Sequence, residues 1–160
     1  MIKIKSAWDF CNKIPFIGSW TFSWLISIAS PYTGTIPLRI STIKVGSCTS
    51  TMTDWFWIRN PFKSIHAAAL VNMGEFTMGM AVLTWCESNN SRAIPSRLEA
   101  NFIKKARGTL KASCTVSDCL DSEQEKSFYT AETLIYDQNN DLVAQIIGKW
   151  AVSRLKKKVD

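Results

Sequence analysis

The sequence predicts an α+β domain in which one antiparallel sheet curls around a single long helix. The stretch Ser64–Cys86 is predicted to be a helix that is apolar on almost every face, which is typical of a domain centre or a membrane span. Four long runs of alternating polar and apolar residues follow it. Antiparallel strands with one apolar face need an element to cover that face, and this helix has the matching length and apolarity.

Length and composition indicate one globular domain. The chain has 160 residues, of which 46% are hydrophobic and 20% charged, and we expect a single domain over residues 1–160 without internal repeats. A formal charge of +6 and a pI near 9.2 favour acidic partners, namely nucleic acid, an anionic membrane or a phosphate-rich ligand. Nucleic acid is the weakest of these, because no basic stripe is interleaved with aromatic residues.

The cysteine and histidine content argues against a metal site. The five cysteines are odd in number and form no CxxC pair, and the chain has one histidine, so no zinc-ligand cluster is predicted. Reduced cysteines in a cytoplasmic protein are the simplest interpretation. The five are Cys11, Cys48, Cys86, Cys114 and Cys119.

Two stretches are similar to membrane segments. The N-terminal MIKIK followed by the apolar Ile14–Ala29 is similar to a signal peptide, but Asp9 and Lys13 interrupt that leader. The central helix is long enough to span a bilayer, but it carries Glu75 and Asn72. We therefore expect no stable membrane insertion.

Residues 1–30 are predicted to form a helical lead-in to the sheet. Pro15 separates two helices, over Ser6–Asn12 and Phe16–Ser30. The second has one face that we expect to pack on the domain, made of Ile17, Thr21, Trp24, Leu25 and Ile28. Predicted strands cover Ile36–Val45, Thr49–Ile58, Leu98–Ile103, Thr109–Val116, Phe128–Asp137 and Leu142–Arg154, and Lys156–Lys158 is predicted to be a solvated end.

The central helix carries one charged residue, Glu75. Ser64 is predicted to cap the helix, since its hydroxyl can accept from an N–H two or three residues on. One stripe is expected to face the core: His66, Ala69, Met73, Phe76, Met80 and Leu83. Glu75 points roughly opposite, where poor solvation raises a carboxyl pKa unless a donor or cation compensates. It is either a structural carboxylate satisfied by a neighbouring strand or a poised base or nucleophile.

Asn60, His66 and Glu75 follow one another at intervals of six and nine residues. This spacing resembles that of the hot-dog fold acyl-CoA thioesterases, in particular the phenylacetyl-CoA thioesterase-like branch. That branch has an Asn, then His-Gly-Gly six residues on, then an Asp or Glu nine residues after the His. The segments PYTGTI, NPFKSIHAAALVNMGEFTMGMA and FIKKARGTLKA are also similar to an uncharacterised subfamily of that superfamily. The resemblance covers roughly Pro31–Trp150.

The resemblance implies a hot-dog fold and hydrolysis of an acyl thioester carried on coenzyme A or an acyl carrier. Coenzyme A is then part of the substrate, and no separate cofactor is expected. Glu75 matches the acidic residue that acts as base or nucleophile, and Asn60 the loop residue that positions water or the acyl group. Ala67 matches the residue whose N–H polarises the thioester carbonyl. The expected substrate-binding residues are His66, Ala68, Lys104, Lys105 and Arg107.

Hot-dog sites generally lie between two subunits, so the resemblance also implies a homodimer or a homotetramer. The chain departs from the family pattern at Ala67 and Ala68, which replace both glycines. An N–H donor survives this change, but two methyl groups narrow the approach to the helix start. A non-catalytic acyl-binding or interaction protein is therefore the alternative function.

Several candidate residues also have a purely structural interpretation. Asn60 precedes a proline and is open to a turn-forming role. His66 is open to a structural hydrogen bond, and its place at the helix start disfavours a hydratase, which needs a catalytic histidine. The basic residues after Ile103 are open to a role as solvated strand ends.

Overall fold

Six antiparallel strands form one sheet around the central helix, which confirms the predicted fold class. The computed structural model describes residues 3–116 and 126–155. The helices are α1 Ile4–Cys11, α2 Gly18–Ala29 and α3 Ala67–Ser88. The strands are β1 Leu38–Lys44, β2 Ser47–Thr53, β3 Ser91–Phe102, β4 Thr109–Thr115, β5 Lys126–Tyr136 and β6 Leu142–Arg154. Their order is β1-β2-β4-β5-β6-β3, so β1 and β3 are the two edges. The predicted tail Lys156–Lys158 lies outside the described residues.

α3 is the buried centre of the domain. Its length and composition would also allow it to cross a bilayer, but most of it is covered by the rest of the protein. The predicted core stripe is confirmed at its buried or core-packed members Ala69, Met73, Phe76, Met80 and Leu83. Its assignment to His66 is wrong, because His66 is exposed and precedes the helix in an extended conformation, where the 100° step does not apply.

The cap of α3 is His66, and the predicted cap Ser64 is wrong. The His66 backbone is extended (φ −65°, ψ 140°), and its Nδ1 accepts a hydrogen bond from the Ala68 N–H at 3.1 Å. Ser64 is buried and donates its hydroxyl to the Asn60 side chain at 3.1 Å. The serine therefore stabilises the preceding loop, and the helix begins at Ala67.

β2 ends at Thr53, earlier than the predicted Ile58. Thr53 pairs with Thr109, the first residue of β4, so the ladder has no partner strand beyond this point. The aromatic run that follows instead forms a short 3-10 turn at Phe56–Ile58. High β-propensity does not make a strand where no neighbouring strand is available.

The lead-in helices form as predicted, but α2 packs through a different face. Its buried residues are Gly18, Phe22 and Ser23. The Ser23 hydroxyl accepts a hydrogen bond from the Ile40 N–H of β1 at 2.9 Å, and Trp8 of α1 meets the Phe22 ring edge-on at 5.1 Å. The apolar face that was predicted to pack on the domain is largely exposed. The exposed face is the more hydrophobic one, because the buried residues include Gly18 and Ser23, so hydrophobicity alone indicated the wrong face.

Two glycines of α3 face β6 at different distances. A Cβ built on Gly74 would lie 2.3 Å from Cγ1 of Ile146, so α3 and β6 approach as closely as a glycine permits. Thr133, on the neighbouring strand β5, donates its hydroxyl to the Gly74 carbonyl at a distance of 2.9 Å. A Cβ on Gly79 would meet Trp150 at 3.6 Å, which is ordinary contact.

We expect opposite effects from alanine at these two glycines. Gly74→Ala forces the side chain of Ile146 or the helix itself to move, and we expect it to lower the free energy of unfolding by about 1–3 kcal/mol. Gly79→Ala gains helix propensity without a clash, and we expect a neutral effect or a gain of up to about 1 kcal/mol. Urea unfolding of both variants beside the parent protein measures the difference. Equal stabilities for the two variants would contradict the close approach at Gly74.

Candidate active site

The loop before α3 is closed by its own backbone hydrogen bonds. Arg59 and Ile65 form an isolated antiparallel bridge. Inside it, the Asn60 N–H donates to the Ser64 carbonyl at 2.8 Å. The Ile65 N–H donates to the Ala106 carbonyl at 2.9 Å, which ties the loop to the segment between β3 and β4. These bonds fix where α3 begins and which way its first N–H groups point.

The Asn60 side chain organises this loop. Its Oδ1 accepts from the Phe62 N–H at 3.0 Å, from the Ser64 N–H at 3.3 Å and from the Ser64 hydroxyl at 3.1 Å. Lys63 can then turn with a positive φ of 55°, a conformation that non-glycine residues rarely adopt. The oxygen of Asn60 thus serves the turn, and its amide NH₂ group has no partner among the described residues. A catalytic role for Asn60 stays a prediction that depends on this NH₂ group.

Four of the predicted site residues line one cavity at the start of α3. Its volume is about 240 Å³, and the four are Asn60, Ala67, Lys104 and Lys105. The Ala67 N–H has no acceptor among the described residues, as expected for the first residue of a helix. A helix N-terminus with an unpaired N–H can stabilise a developing oxyanion.

The three predicted cations differ in how far their charge is already compensated. Lys104 Nζ lies 2.7 Å from Oδ2 of Asp137 and 2.6 Å from Oδ2 of Asp141, and these contacts raise the pKa of Lys104. Lys105 lies 6.0 Å over the Phe62 ring, and Arg107 donates Nε to a backbone carbonyl at 3.2 Å. Neither Lys105 nor Arg107 forms a salt bridge within the described residues. These two are therefore better placed than Lys104 to bind an anion.

His66 and Ala68 line a second cavity, of about 260 Å³, on another side of the helix start. Its wall also contains Tyr32 and Trp57, two largely exposed aromatic residues that the sequence analysis did not assign to the site. Trp57 belongs to an aromatic run that is prominent in the sequence, but this run was predicted to be part of a strand and not of the site. The structure therefore separates the adjacent residues Ala67 and Ala68 into different cavities.

Glu75 is half-buried on α3. Burial raises the pKa of its carboxyl group above the ordinary value. No donor or cation pairs with this carboxylate in the part of the chain that the structure describes, so the strand partner that the structural alternative requires is not found there. A desolvated carboxylate that retains access to solvent is suited to take a proton from water.

Glu75 and Ala67 lie about two turns apart on α3, and Glu75 does not line the cavity that contains Ala67. Glu75 follows Ala67 by eight residues, which corresponds to about 12 Å along a helix. A reacting carbonyl would have to lie within about 3 Å of both the N–H and the carboxylate or its water. Within one chain, Ala67 and Glu75 therefore do not share any of the described cavities.

The largest of the described cavities, about 370 Å³, contains none of the predicted site residues. It lies between the lead-in helices, α3 and the start of β3, and its apolar wall includes Ile26, Phe76 and Met80. The Glu87 carboxylate at its border accepts from the Ile4 N–H of α1 at 2.6 Å. This cavity is a separate feature of the lead-in.

The described cysteines are not nucleophile candidates. Cys11, Cys48, Cys86 and Cys114 are free and buried, and Cys119 lies outside the described residues. Burial raises the pKa of Cys86 and of Cys114 to about 11, so both remain thiols at neutral pH.

A single antiparallel sheet curled around one long helix defines a hot-dog fold. The chain belongs to the family described as "Domain of unknown function (DUF4442)", whose model matches residues 18–152. A comparison with curated proteins finds no significant match.

Solved structures with the same fold include proteins described as thioesterases. PA5026 from Pseudomonas aeruginosa, a protein of unknown function described as a probable thioesterase, superposes with a TM-score of 0.70 at 19% identity, over 77% of this chain and 87% of that chain. The E. coli PaaI protein from the phenylacetic acid degradation operon gives 0.66 at 19% identity, over 86% and 94%. A mutant of the Staphylococcus aureus thioesterase SAV0944 gives 0.66 at 17% identity, over 77% and 98%. At these identities the likeness shows the fold.

We expect the loop before α3 to depend on the Asn60 oxygen. Asn60→Ala leaves the Ser64 hydroxyl and two N–H groups without their acceptor and should lower the free energy of unfolding by about 1–3 kcal/mol. Asn60→Asp keeps an acceptor oxygen at this position and should preserve most of the stability. Thermal unfolding of both variants measures the effect. Equal losses for alanine and aspartate would show that Oδ1 does not hold the loop.

Proposed function

We propose that the protein hydrolyses an acyl thioester carried on coenzyme A or on an acyl carrier, with Glu75 as general base or nucleophile. The observation that carries the proposal is the Glu75 carboxylate, which is desolvated, has a raised pKa and lacks a partner among the described residues. A structural carboxylate would be expected to have a hydrogen-bond donor or a cation beside it. The fold and the spacing of Asn60, His66 and Glu75 support the same function.

The reaction requires a base and an oxyanion donor. As a base, Glu75 takes a proton from water, and the water oxygen bonds to the carbonyl carbon of the thioester. The Ala67 N–H stabilises the negative charge that develops on the carbonyl oxygen. The carbon–sulfur bond then breaks, and the leaving thiolate receives the proton held by Glu75. The raised pKa of Glu75 brings the carboxylate closer to the basicity that this transfer needs.

A second subunit would supply the half of the site that one chain cannot reach. The separation of about 12 Å between Ala67 and Glu75 favours a site built from the Ala67 end of one subunit and the Glu75 face of another. The edge strand β3 has the exposed apolar residues Ile94, Leu98 and Phe102, which suit a protein contact. We therefore propose a homodimer as the smallest active form, with the homotetramer as its further assembly.

The cations at the cavity mouth suit the phosphates of coenzyme A. Lys105 has a side chain at the 240 Å³ cavity, and Arg107 follows it two residues later. Lys104 is held by two carboxylates and would contribute less. A cytoplasmic location fits this substrate and the free cysteines among the described residues.

A non-catalytic acyl-binding protein is the second candidate, favoured by Ala67 and Ala68 in place of glycines. The two methyl groups occupy the helix start in two different cavities. A panel of acyl-CoAs incubated with the protein and a thiol-detecting reagent separates the two functions. Release of free thiol supports hydrolysis, whereas binding without release supports the second candidate.

Glu75→Gln should abolish turnover. Glutamine has nearly the same shape, but it neither accepts the proton nor attacks the carbonyl, so we expect the rate on the best acyl-CoA to fall by at least ~100-fold. The matched control is Glu87→Gln, which changes another glutamate of α3, outside the predicted site. Full activity in Glu75→Gln would exclude the mechanism.

Stability separates a catalytic Glu75 from a structural one. Burial raises the pKa of Glu75 in the folded protein above its value in the unfolded chain. Between these two pKa values the folded protein binds a proton that the unfolded chain has released, so the free energy of unfolding falls as the pH rises through this range. Glu75→Gln removes this cost, so the variant should melt at the same temperature as the parent or higher at pH 7, with a smaller difference under acidic conditions. A large loss of stability, of about 3–5 kcal/mol, would indicate a structural ion instead.

Mixing two inactive variants tests the shared site. Ala67→Pro removes the N–H of the first helical residue, where proline is well tolerated, and replaces the methyl group with a ring. The extended ψ of 140° at His66 also suits a following proline. In a homodimer mixed from equal amounts of Ala67→Pro and Glu75→Gln, half the dimers are mixed, and one of their two sites is intact. After subunit exchange, activity should return to about a quarter of the parent value, and no recovery would place both groups in one chain.

A further inference from the structure

The exposed side of α2 is a continuous apolar surface. No charged residue occurs between Lys13 and Arg39. Trp24 is 64% exposed and Phe16, in the turn before the helix, is 97% exposed. The other exposed members of this surface, which we call the α2 face, are Ile17, Trp20, Leu25 and Ile28. A face of this size without charge needs a partner or an apolar environment.

The α2 face cannot be buried against its own domain by a rotation of the helix. The opposite side of α2 is already fixed by buried Phe22 and by the hydrogen bond between Ser23 and Ile40. Ser19 accepts from Nε of Arg39 at 3.0 Å, which fixes the first turn of the helix to β1 as well. Turning the exposed residues inward would break all of these contacts.

The turn before α2 presents an aromatic ring at a conformational cost. Phe16 has a φ of 67°, a region that costs an ordinary L-residue roughly 1 kcal/mol or more and that glycine or asparagine adopts more easily. Its ring is nevertheless almost fully exposed, so it contributes nothing to the core that would offset this cost. Contact of the ring with an apolar medium outside the protein would offset it.

The dimensions and charges of this region suit a membrane surface. At 12 residues α2 is about 18 Å long, too short to cross a bilayer but able to lie along one. Tryptophans favour the level of the lipid headgroups. Arg39 borders the face, because it stacks on Trp20 at 4.4 Å, and Lys13 precedes Phe16 by three residues in the turn that leads to α2. The described part of the lead-in has one acidic residue, Asp9, and it is paired with Lys5.

We infer that the α2 face binds the surface of an anionic lipid membrane, with α2 lying in the plane of the interface. The aromatic and aliphatic side chains enter the headgroup layer, while Lys13 and Arg39 meet the lipid phosphates. The overall charge of +6 attracts the protein to such a surface from solution. This inference does not depend on the proposed hydrolysis.

Sedimentation with vesicles tests the inference on the full chain. Vesicles of phosphatidylcholine alone and of phosphatidylcholine with phosphatidylglycerol are incubated with the protein and pelleted. We expect binding to the anionic vesicles that is at least ~10-fold weaker for the double variant Phe16→Gly, Trp24→Ser. Lys13→Glu should weaken binding to anionic vesicles only. The matched control is Phe128→Ser, because Phe128 is 57% exposed on β5, outside the lead-in, and its loss should leave binding unchanged.

Gel filtration of the same variants separates a membrane from a second copy of the chain. Phe16→Gly should relieve strain and Trp24 is on the surface, so the double variant should keep its melting temperature and its assembly size. The inference is overturned if the parent protein does not bind anionic vesicles, or if the double variant binds as well as the parent. A smaller assembly for the double variant would also overturn it, since the face would then join two copies.

Discussion

The close packing of α3 inside the curled sheet is the constraint on which the other features depend. At Gly74 the helix approaches Ile146 so closely that a single methyl group would not fit. This contact fixes the rotation of the helix about its axis, and therefore the direction of the next residue, Glu75. The same rotation buries Met73 and Met78 completely and leaves Glu75 half-covered. The environment of the Glu75 carboxylate is thus a consequence of how the neighbouring residues of α3 pack in the core.

Desolvation of Glu75 has a cost that the fold bears without local compensation. Among the described residues, no basic side chain pairs with Glu75. Lys104, by contrast, is paired with two carboxylates. A domain of this size is only marginally stable, so an uncompensated group of this kind is unusual unless it serves an activity. The charge of Lys104 is thus compensated by two carboxylates, whereas Glu75 has no such partner among the described residues.

The sequence allowed the fold class, the central helix and the number of strands to be predicted, because each depends on a long hydrophobic pattern, but β3 begins at Ser91 and not at the predicted Leu98. The errors occurred where a single contact decides the outcome. His66 replaced Ser64 as the cap because Asn60 binds the serine hydroxyl. β2 stopped at Thr53 because its partner strand begins at Thr109.

The candidate site was predictable only as a set of residues in order along the chain. The spacing of Asn60, His66 and Glu75 could not indicate that Ala67 and Ala68 line separate cavities. It also could not indicate that Lys104 is held by Asp137, because that pairing depends on the turn between β5 and β6. The buried face of α2 was predicted incorrectly, since its more hydrophobic face is the exposed one.

The two edges of the sheet are closed to different degrees. At β1, the Ile40 N–H already donates a hydrogen bond to the Ser23 hydroxyl, and α2 packs along the strand. At β3, exposed apolar side chains border the outer edge together with the Arg97–Glu99 ion pair, and the strand is irregular near Pro95. Of the two edges, β3 is therefore the one at which another strand can still pair. A chain with a single open edge can pair once and then stops, which protects this long, apolar sheet against open-ended fibre formation.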